Sequence, residues 1–375
     1  MRGHIRKRGE KYYIVLDIGV GDNGVRKQKW HSGYKTKKEA EKTMVQLISD
    51  LEKGEYVNPS NITLSQFLSE WLEDSKKPVL APKTYASYSD IIRLYLKPLL
   101  GHKELSKLTP SIIQKYYSHL RDNSSLSNSS INYHHRLLRQ ALNHAVKWLY
   151  ITKNPCDVVD PPKRNKKEMQ AWSISNVQKA QEIFKDSPIY LHVMLAIFTG
   201  MRAGEIGALK WTDFDFNNAV CTIRRTAQRV TGNLIFKEPK TENSTRIVVL
   251  QQTLIELLKR EKKKQVENRL LFGSSYKMQF DGYISVRADG SFMEPDYVGK
   301  KFHKILLKNP ELPMIRFHDL RHTNASMMLA SGIDMKTMSE RLGHSQISIT
   351  MDLYAHVSVE MQRKAVRKLE EFMQI

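Results

Sequence analysis

Between residues 63 and 160 apolar side chains recur at helical spacing in four successive segments, which restricts the middle of the chain to packed helices. In "TLSQFLSEWLED", Leu64, Phe67, Leu68, Trp71 and Leu72 fall at i, i+3, i+4, i+7 and i+8, one stripe of an α-helix. "KTYASYSDIIRLYLKPLLG" repeats the pattern with Tyr85, Tyr88, Ile92, Tyr95 and Leu96. "TPSIIQKYYSHLRD" opens on Thr109 as N-cap and Pro110 at the first helical position, where the missing N–H would have no partner anyway. "SSINYHHRLLRQALNHAVKWLYI" predicts a fourth, longer helix with Leu138, Leu142, Ala145 and Leu149 on one face. Four such stripes joined by short connections must cover one another, as a compact bundle over residues 59–160.

The segment before the bundle has a different period. "KYYIVLDIGVG" is rich in aromatic and β-branched residues, "DNG" at 22–24 is a turn signal, and "VRKQKWHSGY" reads as a further strand. "TKKEAEKTMVQLISDLEKG" then predicts a helix with Thr36 as N-cap, a stripe of Ala40, Met44, Leu47 and Leu51, and Gly54 as its stop. Residues 1–38 hold 11 Lys or Arg against 3 acidic residues. Residues 1–58 are therefore expected to form a small basic three-stranded sheet with one helix. A sheet face carrying cations and aromatics can enter a DNA major groove, and Arg6, Lys7, Arg8, Arg26, Lys27 and Lys29 are the candidate contacts. The plainer alternative is a small domain with a solvated basic face.

"DPPKRNKKEMQAW" breaks the helical pattern, since paired prolines stop a helix and a cation cluster cannot pack. Residues 161–172 read as an exposed linker, with Lys163, Arg164, Lys166 and Lys167 able to follow a phosphate backbone. Residues 173–375 make the largest unit. "SPIYLHVMLAIFTG" is an apolar helix ending at Gly200, and "MRAGEIGALKWTDFDF" a short helix and turn. "AVCTIRRTAQRVTGNLIFKEPKTENSTRIVVL" reads as three strands with turns at "TGN" and "KTENS", after which helices run to the end. The fold class expected is α+β and multidomain: a small N-terminal sheet plus helix, a helical bundle, and a mostly helical domain with a small sheet.

The net charge of +21 makes a polyanionic partner the simplest use of the surface, with nucleic acid first. Two cysteines, Cys156 and Cys221, cannot build a zinc site alone, and no ligand spacing accompanies them. The opening "MRGHIRKRGEKYY" lacks the apolar run of a signal peptide, and no stretch approaches a membrane span. A cytoplasmic protein without a membrane partner is expected.

"RFHDLRHTNASMMLASG" places His318, Asp319, Arg321 and His322 at the start of an apolar helix. His318 and Arg321 are three apart and near a helix N-terminus, where the dipole favours anions. "TGMRAGEIGALKW" sets Arg202 at another helix start, Lys240 sits at a strand-to-turn junction with Lys237 as an alternative nearby, and "ERLGHSQISITMDLYAHV" supplies His344 after Gly343 and then Tyr354. Two arginines, a lysine, two histidines and a tyrosine suit cleavage of a phosphodiester without a metal. Singly, each has a bland reading: a packed tyrosine ring, satisfied histidines, a solvated lysine, arginines paired with Glu205 and Asp319. These readings do not account for the joint order and spacing.

At "TGMRAGEI", "PKTENSTR", "FHDLRHTNAS", "RLGHSQISIT" and "MDLYAHV" the chain resembles the tyrosine recombinases, the integrases of phages and mobile elements. The layout of arm-binding, core-binding and catalytic domains is similar to that of the lambda-type integrases, over essentially the whole chain. The resemblance implies a DNA strand transferase that integrates and excises a mobile element. Tyr354 would attack the scissile phosphate to give a 3′-phosphotyrosyl link and a free 5′-hydroxyl. Arg202, Arg321 and His344 would stabilise the charge that builds on the phosphate, Lys240 would protonate the leaving oxygen, and His318 would act as base or orient Tyr354. Glu205 and Asp319 would support the arginines, and His322, about 100° round the helix from Arg321, reads as structural.

The resemblance further implies no cofactor, core and arm attachment sites on double-stranded DNA, a homotetramer on that DNA, an excision factor and a host DNA-bending protein. The bacterial nucleoid would be its place of work. The final segment "SVEMQRKAVRKLEEFMQI" predicts a helix with Met361, Val366, Leu369 and Phe372 as apolar positions, which would dock on a neighbouring protomer. The rival functions are an inert DNA-binding regulator and a type IB-like topoisomerase or chromosome-dimer resolvase.

Overall fold

The computed structural model of the protein describes residues 3–20, 26–52, 61–163, 170–237, 245–343 and six helical positions between 363 and 373. The chain divides into two compact units, Met1–Lys166 and Lys167–Ile375.

The first unit begins with β1 (Gly3–Arg8), β2 (Lys11–Val20) and β3 (Arg26–Tyr34), an antiparallel sheet in that order, followed by α1 (Lys37–Glu52). Side chains alternate between faces along a strand. Ile5 pairs with Ile14 in the ladder, and Ile14, Leu16 and Tyr12 share one face. That face meets Ala40, Met44, Leu47 and Ile48 of α1 in a small core. Thr36 caps α1 as expected, its hydroxyl accepting from the Glu39 N–H at 3.2 Å. The expected turn at 22–24 and the stop at Gly54 lie outside the described residues.

The helical part of this unit comprises α2 (Leu64–Glu70), α3 (Pro82–Ile91), α4 (Lys97–Leu100), α5 (Pro110–Asn123) and α6 (Asn128–Lys147). A π-helical turn, Trp71–Lys76, prolongs α2, and a second, Ile92–Leu96, joins α3 to α4. Thr63 and Gln66 form a reciprocal capping box before α2, and Thr109 caps α5. The stripes are the core: Leu64, Phe67, Leu68, Trp71, Leu138, Leu142 and Ala145 are all fully buried. Leu149 corrects the expectation. It is 48% exposed, because α6 ends at Lys147 and Leu149 takes the left-handed conformation at φ 58°. The Tyr150 N–H then returns to the Ala145 carbonyl at 2.8 Å, a closure that stops a helix and turns the next residue off its stripe. Two buried pairs fasten α5 to α6: Tyr116 Oη to His134 Nδ1 at 2.8 Å and Tyr117 Oη to His135 Nδ1 at 2.9 Å.

The second unit contains α7 (Ile174–Phe184), α8 (Tyr190–Thr199), α9 (Ala203–Gly207), β4 (Phe214–Asp215), β5 (Val220–Ile223), β6 (Thr226–Val230), β7 (Asn233–Lys237), β8 (Arg246–Val249), α10 (Gln252–Phe272), α11 (Pro295–Leu306), α12 (Asp319–Ala330) and α13 (Met335–Leu342). Helix α8 is buried along almost its whole length and centres the core. The three strands expected here are four. The first breaks at Arg224 and Arg225, which turn toward buried Asp213; Arg225 Nη2 lies 2.6 Å from its Oδ2. The halves enter different sheets, β5 between β4 and β8, and β6 with β7. The "TGN" turn holds: Thr231 and Gly232 both have positive φ, 45° and 85°, as a two-residue hairpin turn requires. Trp172, at the end of the expected linker, departs from that expectation. It is 2% exposed and donates from Nε1 to the Pro313 carbonyl and from N–H to Thr323 Oγ1, both at 3.0 Å. Aromatic burial draws it into the core of the second unit.

Cys156 and Cys221 are free and buried, and burial pushes both thiols up to about 12. Among the described residues no helix is long and apolar enough to cross a membrane. Val366 and Leu369 lie in helix and are 55% and 61% exposed, while Met361 and Phe372 lie outside the described residues.

Candidate active site

Helix α8 ends at Gly200 in the left-handed conformation, φ 67°, where glycine carries no steric penalty. A side chain there would also meet Leu342 and Asn324, at 2.5 and 2.8 Å from its Cβ. This tight reversal brings Arg202 to the start of α9. Its backbone N–H donates to Glu205 Oε2 at 2.9 Å and its Nη1 to Oε1 at 2.7 Å. Its Nη2 reaches the Gly343 carbonyl at 3.4 Å. From α12, buried Arg321 donates from Nη1 to the Gly200 carbonyl at 2.8 Å. Three segments far apart in sequence, 200–205, 318–321 and 341–343, are thereby brought together around two arginines.

Glu205 supports Arg202 as the sequence implied, but it is shared. Arg246, the first residue of β8, donates to Glu205 from Nη1 at 3.1 Å and Nη2 at 2.8 Å, and from Nε to the Arg341 carbonyl at 2.9 Å. Burial pushes the Glu205 carboxyl up, yet the Arg246 hydrogen bonds and the charges of Arg246 and Arg202 override this and hold it at about 2. Sequence reasoning passed over Arg246, although it closes the quoted motif "PKTENSTR". The signal available was an arginine leading an otherwise apolar strand, "RIVV".

The role expected for Asp319 changes. Its carboxylate binds Arg316, accepting from Nε at 3.0 Å, from Nη2 at 2.7 Å and from the backbone N–H at 2.8 Å. Asp319 and Arg321 are two apart on α12, and such positions do not face each other. Asp319 therefore secures the N-terminus of the helix through Arg316 instead of holding Arg321. His322, read as structural, lies at i+4 from His318, and the two rings meet edge to face with their centroids 5.6 Å apart. His318 sits exposed at the helix start. Desolvation, then the charges of His322, Arg321 and Arg202, lower its pKa below the ordinary imidazole value, against an opposing effect of Asp319.

Lys240, His344 and Tyr354 lie outside the described residues. Lys237 is the last residue of β7, paired with Thr226, so Lys240 follows the strand by three positions. Among the described residues no group of three His, Cys, Asp or Glu stands together as a metal site.

The N-terminal sheet sorts the expected DNA contacts by face. Arg6 and Arg8 flank the exposed ring of Trp30, their guanidinium carbons 5.6 and 5.8 Å from its centre, and Tyr13 packs edge-on against the same ring. Lys7 pairs with Tyr12 and Lys29 with Leu16, so both belong to the opposite, α1-facing side. The side chains of Arg26 and Lys27 lie outside those described. Lys163 is exposed, its carbonyl accepting from Asn128 Nδ2 at 3.2 Å; Arg164, Lys166 and Lys167 lie outside the described residues.

Comparison with known proteins agrees with this architecture. Residues 170–361 match the model of the Phage integrase family, residues 63–121 that of the phage integrase N-terminal SAM-like domain, and residues 4–51 that of the Arm DNA-binding domain. A "Tyrosine recombinase XerC-like" protein of Caldanaerobacter subterraneus subsp. tengcongensis is 33% identical, covering 97% of each chain. The ICEBs1 integrase of Bacillus subtilis is 28% identical over 90% of this chain and 91% of its own, and the transposase from transposon Tn916 of Enterococcus faecalis 24% identical over 88% and 82%. Among solved structures, the Tn1549 transposon integrase in complex with a circular intermediate DNA superposes with a TM-score of 0.71 at 20% identity, covering 82% of this chain and 99% of that one. A lambda integrase tetramer bound to a Holliday junction gives 0.60 at 18% identity, covering 94% of each. These likenesses show the fold, mixed α and β and mostly helical, as expected. With its three segments matched in order and a relative similar along nearly its whole length, the chain belongs to the phage integrase family, the tyrosine recombinases.

Proposed function

We propose that this recombinase integrates and excises a mobile element by cutting and rejoining DNA through a 3′-phosphotyrosyl intermediate. The observation that carries the proposal is the convergence of Arg202 and Arg321. Arg321 is tied to Gly200, two residues before Arg202, and Arg202 spans to Gly343, the residue before His344. Two guanidinium groups at adjoining helix starts suit the non-bridging oxygens of one phosphate. Tyr354 is the nucleophile, Lys240 the acid for the 5′-oxygen, His344 a further donor to the phosphate, and His318 the base or the group that orients Tyr354. The lowered pKa of His318 supports a neutral imidazole able to accept a proton. Because the bond energy is kept in the phosphotyrosine, a 5′-hydroxyl from the partner strand can reverse the attack.

The division of labour follows the chain: residues 1–58 bind arm sites, 59–160 and the basic linker that begins at 161 clasp core DNA, and the second unit, whose core already includes Trp172, holds the chemistry. The exposed Val366 and Leu369 suit docking of the C-terminal helix on a second protomer in a tetramer on DNA. An excision factor and a host DNA-bending protein complete the assembly, in the cytoplasm at the nucleoid of a bacterial host. The names of the relatives, which include a transposon transposase and the integrase of ICEBs1, support a mobile element. The arm DNA-binding match favours the integrase.

The test is covalent trapping. Nicked, end-labelled duplexes tiled from the DNA flanking the gene are incubated with the protein and a chelator, then resolved on a denaturing gel beside Tyr354→Phe. An adduct that vanishes in the variant is the expected result. Salt-sensitive binding without any adduct would favour an inert regulator, and an adduct that persists would put the nucleophile on another residue. Deleting residues 1–55 should weaken integration while core-site cleavage continues, and truncation after Val359 should impair tetramer assembly.

A further inference from the structure

Arg202 and Arg246 bind the same carboxylate but face different surroundings. The side chain of Arg202 keeps 42% of its surface exposed, that of Arg246 only 9%, and Glu205 likewise 9%. Each Glu205 oxygen takes one bond from each arginine: Oε1 from Arg202 Nη1 and Arg246 Nη1, Oε2 from the Arg202 N–H and Arg246 Nη2. Four donors saturate an ionised carboxylate. Arg246 also spans to the Arg341 carbonyl and packs on Gly343, whose missing Cβ would lie 2.8 Å from its Nη1 and 2.9 Å from its Cδ. Gly343 is itself left-handed, φ 67°, at the end of α13.

We propose that Arg246 is a positioning residue for strand cleavage, acting through Glu205 on Arg202 and bracing the end of α13 at Arg341 and Gly343. The proposal rests on the reading of Arg202 as a phosphate ligand. Two cations against one buried carboxylate leave a net positive charge, and Arg202 presents it outward. Without Arg246, Glu205 cancels the charge of Arg202 and its two vacated lone-pair positions compete for the remaining Arg202 donors. A guanidinium that must meet a developing phosphate charge is then both neutralised and drawn inward. The Arg246 contact with Gly343 would be lost at the same time, loosening the end of α13.

The experiment follows covalent adduct formation on a nicked core-site substrate, with either an ordinary phosphodiester or a neutral methylphosphonate at the scissile position. Arg246→Met should slow the adduct about 10²-fold on the phosphodiester, with DNA affinity little changed. Arg246→Lys should restore part of the rate, because it returns the charge without the two-pronged geometry. On the methylphosphonate there is less charge to neutralise, so the deficits of Arg246→Met and of Arg202→Ala should both shrink. A deficit equal on the two substrates, or none on the phosphodiester, overturns the proposal. If Arg246→Met does not fold, Glu205→Gln with and without Arg246→Lys gives the same answer. Coupled effects of the two changes support the shared carboxylate and additive effects overturn it. Failure of the unmodified protein to form any adduct overturns the reading of the site itself, which sets that outcome apart.

Discussion

Arg321 Nη1 donates to the Gly200 carbonyl across 2.8 Å, joining α12 to the end of α8. A second bond runs alongside, from Asn324 Nδ2 to the Ile197 carbonyl at 2.7 Å. The reversal at Gly200 is therefore held from the helix that carries a candidate phosphate ligand, and Arg202 departs from that reversal. Gly200→Ala places a Cβ against Leu342 and Asn324 in a left-handed backbone. The expected cost is about 1–3 kcal/mol of stability. A fall in the denaturant midpoint together with slower adduct formation would bear this out, and an unchanged midpoint would refute it.

Glu205 gives an acid limb with a defined sign. Its folded pKa of about 2 is below the ordinary 4.5. A depressed carboxylate contributes stability fully above the unfolded pKa, and the contribution is lost as pH falls through the folded value. Glu205→Gln should therefore reduce stability at neutral pH and flatten the decline between pH 4.5 and about 2. Denaturant unfolding across that range measures both effects.

The buried pair Tyr116–His134 works through another group. Burial lowers the His134 pKa from 6.5 to about 4. Between these values the unfolded chain takes a proton that the folded form refuses, so this group costs stability progressively as pH falls from 6.5 toward 4. His134→Gln should remove that component of the slope. Tyr116→Phe should keep the slope but lower stability by about 1–3 kcal/mol, since it leaves a buried ring nitrogen without its partner. Unfolding of the first unit, followed at about pH 7.5, 5.5 and 4.5, separates the two.

The arm sheet offers a test by face. Arg6→Ala and Arg8→Ala should each weaken binding to arm-site duplexes and lower the salt slope by about 1. Trp30→Ala should remove the ring against which both arginines rest and resemble the double change. Lys29→Ala, on the α1-facing side, should have a small effect. Fluorescence anisotropy over a salt series reads these slopes, and equal losses at Lys29 and Arg6 would count against a single binding face.

Much of the helical architecture was legible because burial follows periodicity. Leu64, Phe67, Leu68 and Trp71 lie where their spacing puts them. Glu205 was legible as the partner of Arg202 because the two are three apart at a helix start. What escaped depended on partners remote in sequence. The strand break at Arg224 and Arg225 answers to Asp213, and Arg246 answers to Glu205, 41 residues away. Two further features turned on local geometry. Asp319 pairs three residues back, with Arg316, and not two residues forward with Arg321. Period-two alternation along β1 is enough to part Lys7 from Arg6 and Arg8.

The two π-helical turns in the first unit bear on how such a chain can vary. Each winds one residue more into a turn than an α-helix does, at Trp71–Lys76 and at Ile92–Leu96. The flanking stripes nevertheless stay on the buried side. A one-residue deletion inside either turn can be absorbed by a return to ordinary winding, with the helix ends left in place. The same deletion inside α6 would rotate everything beyond it by about 100°. The bundle thus carries two sites where homologous chains can differ in length by one residue while keeping the same core.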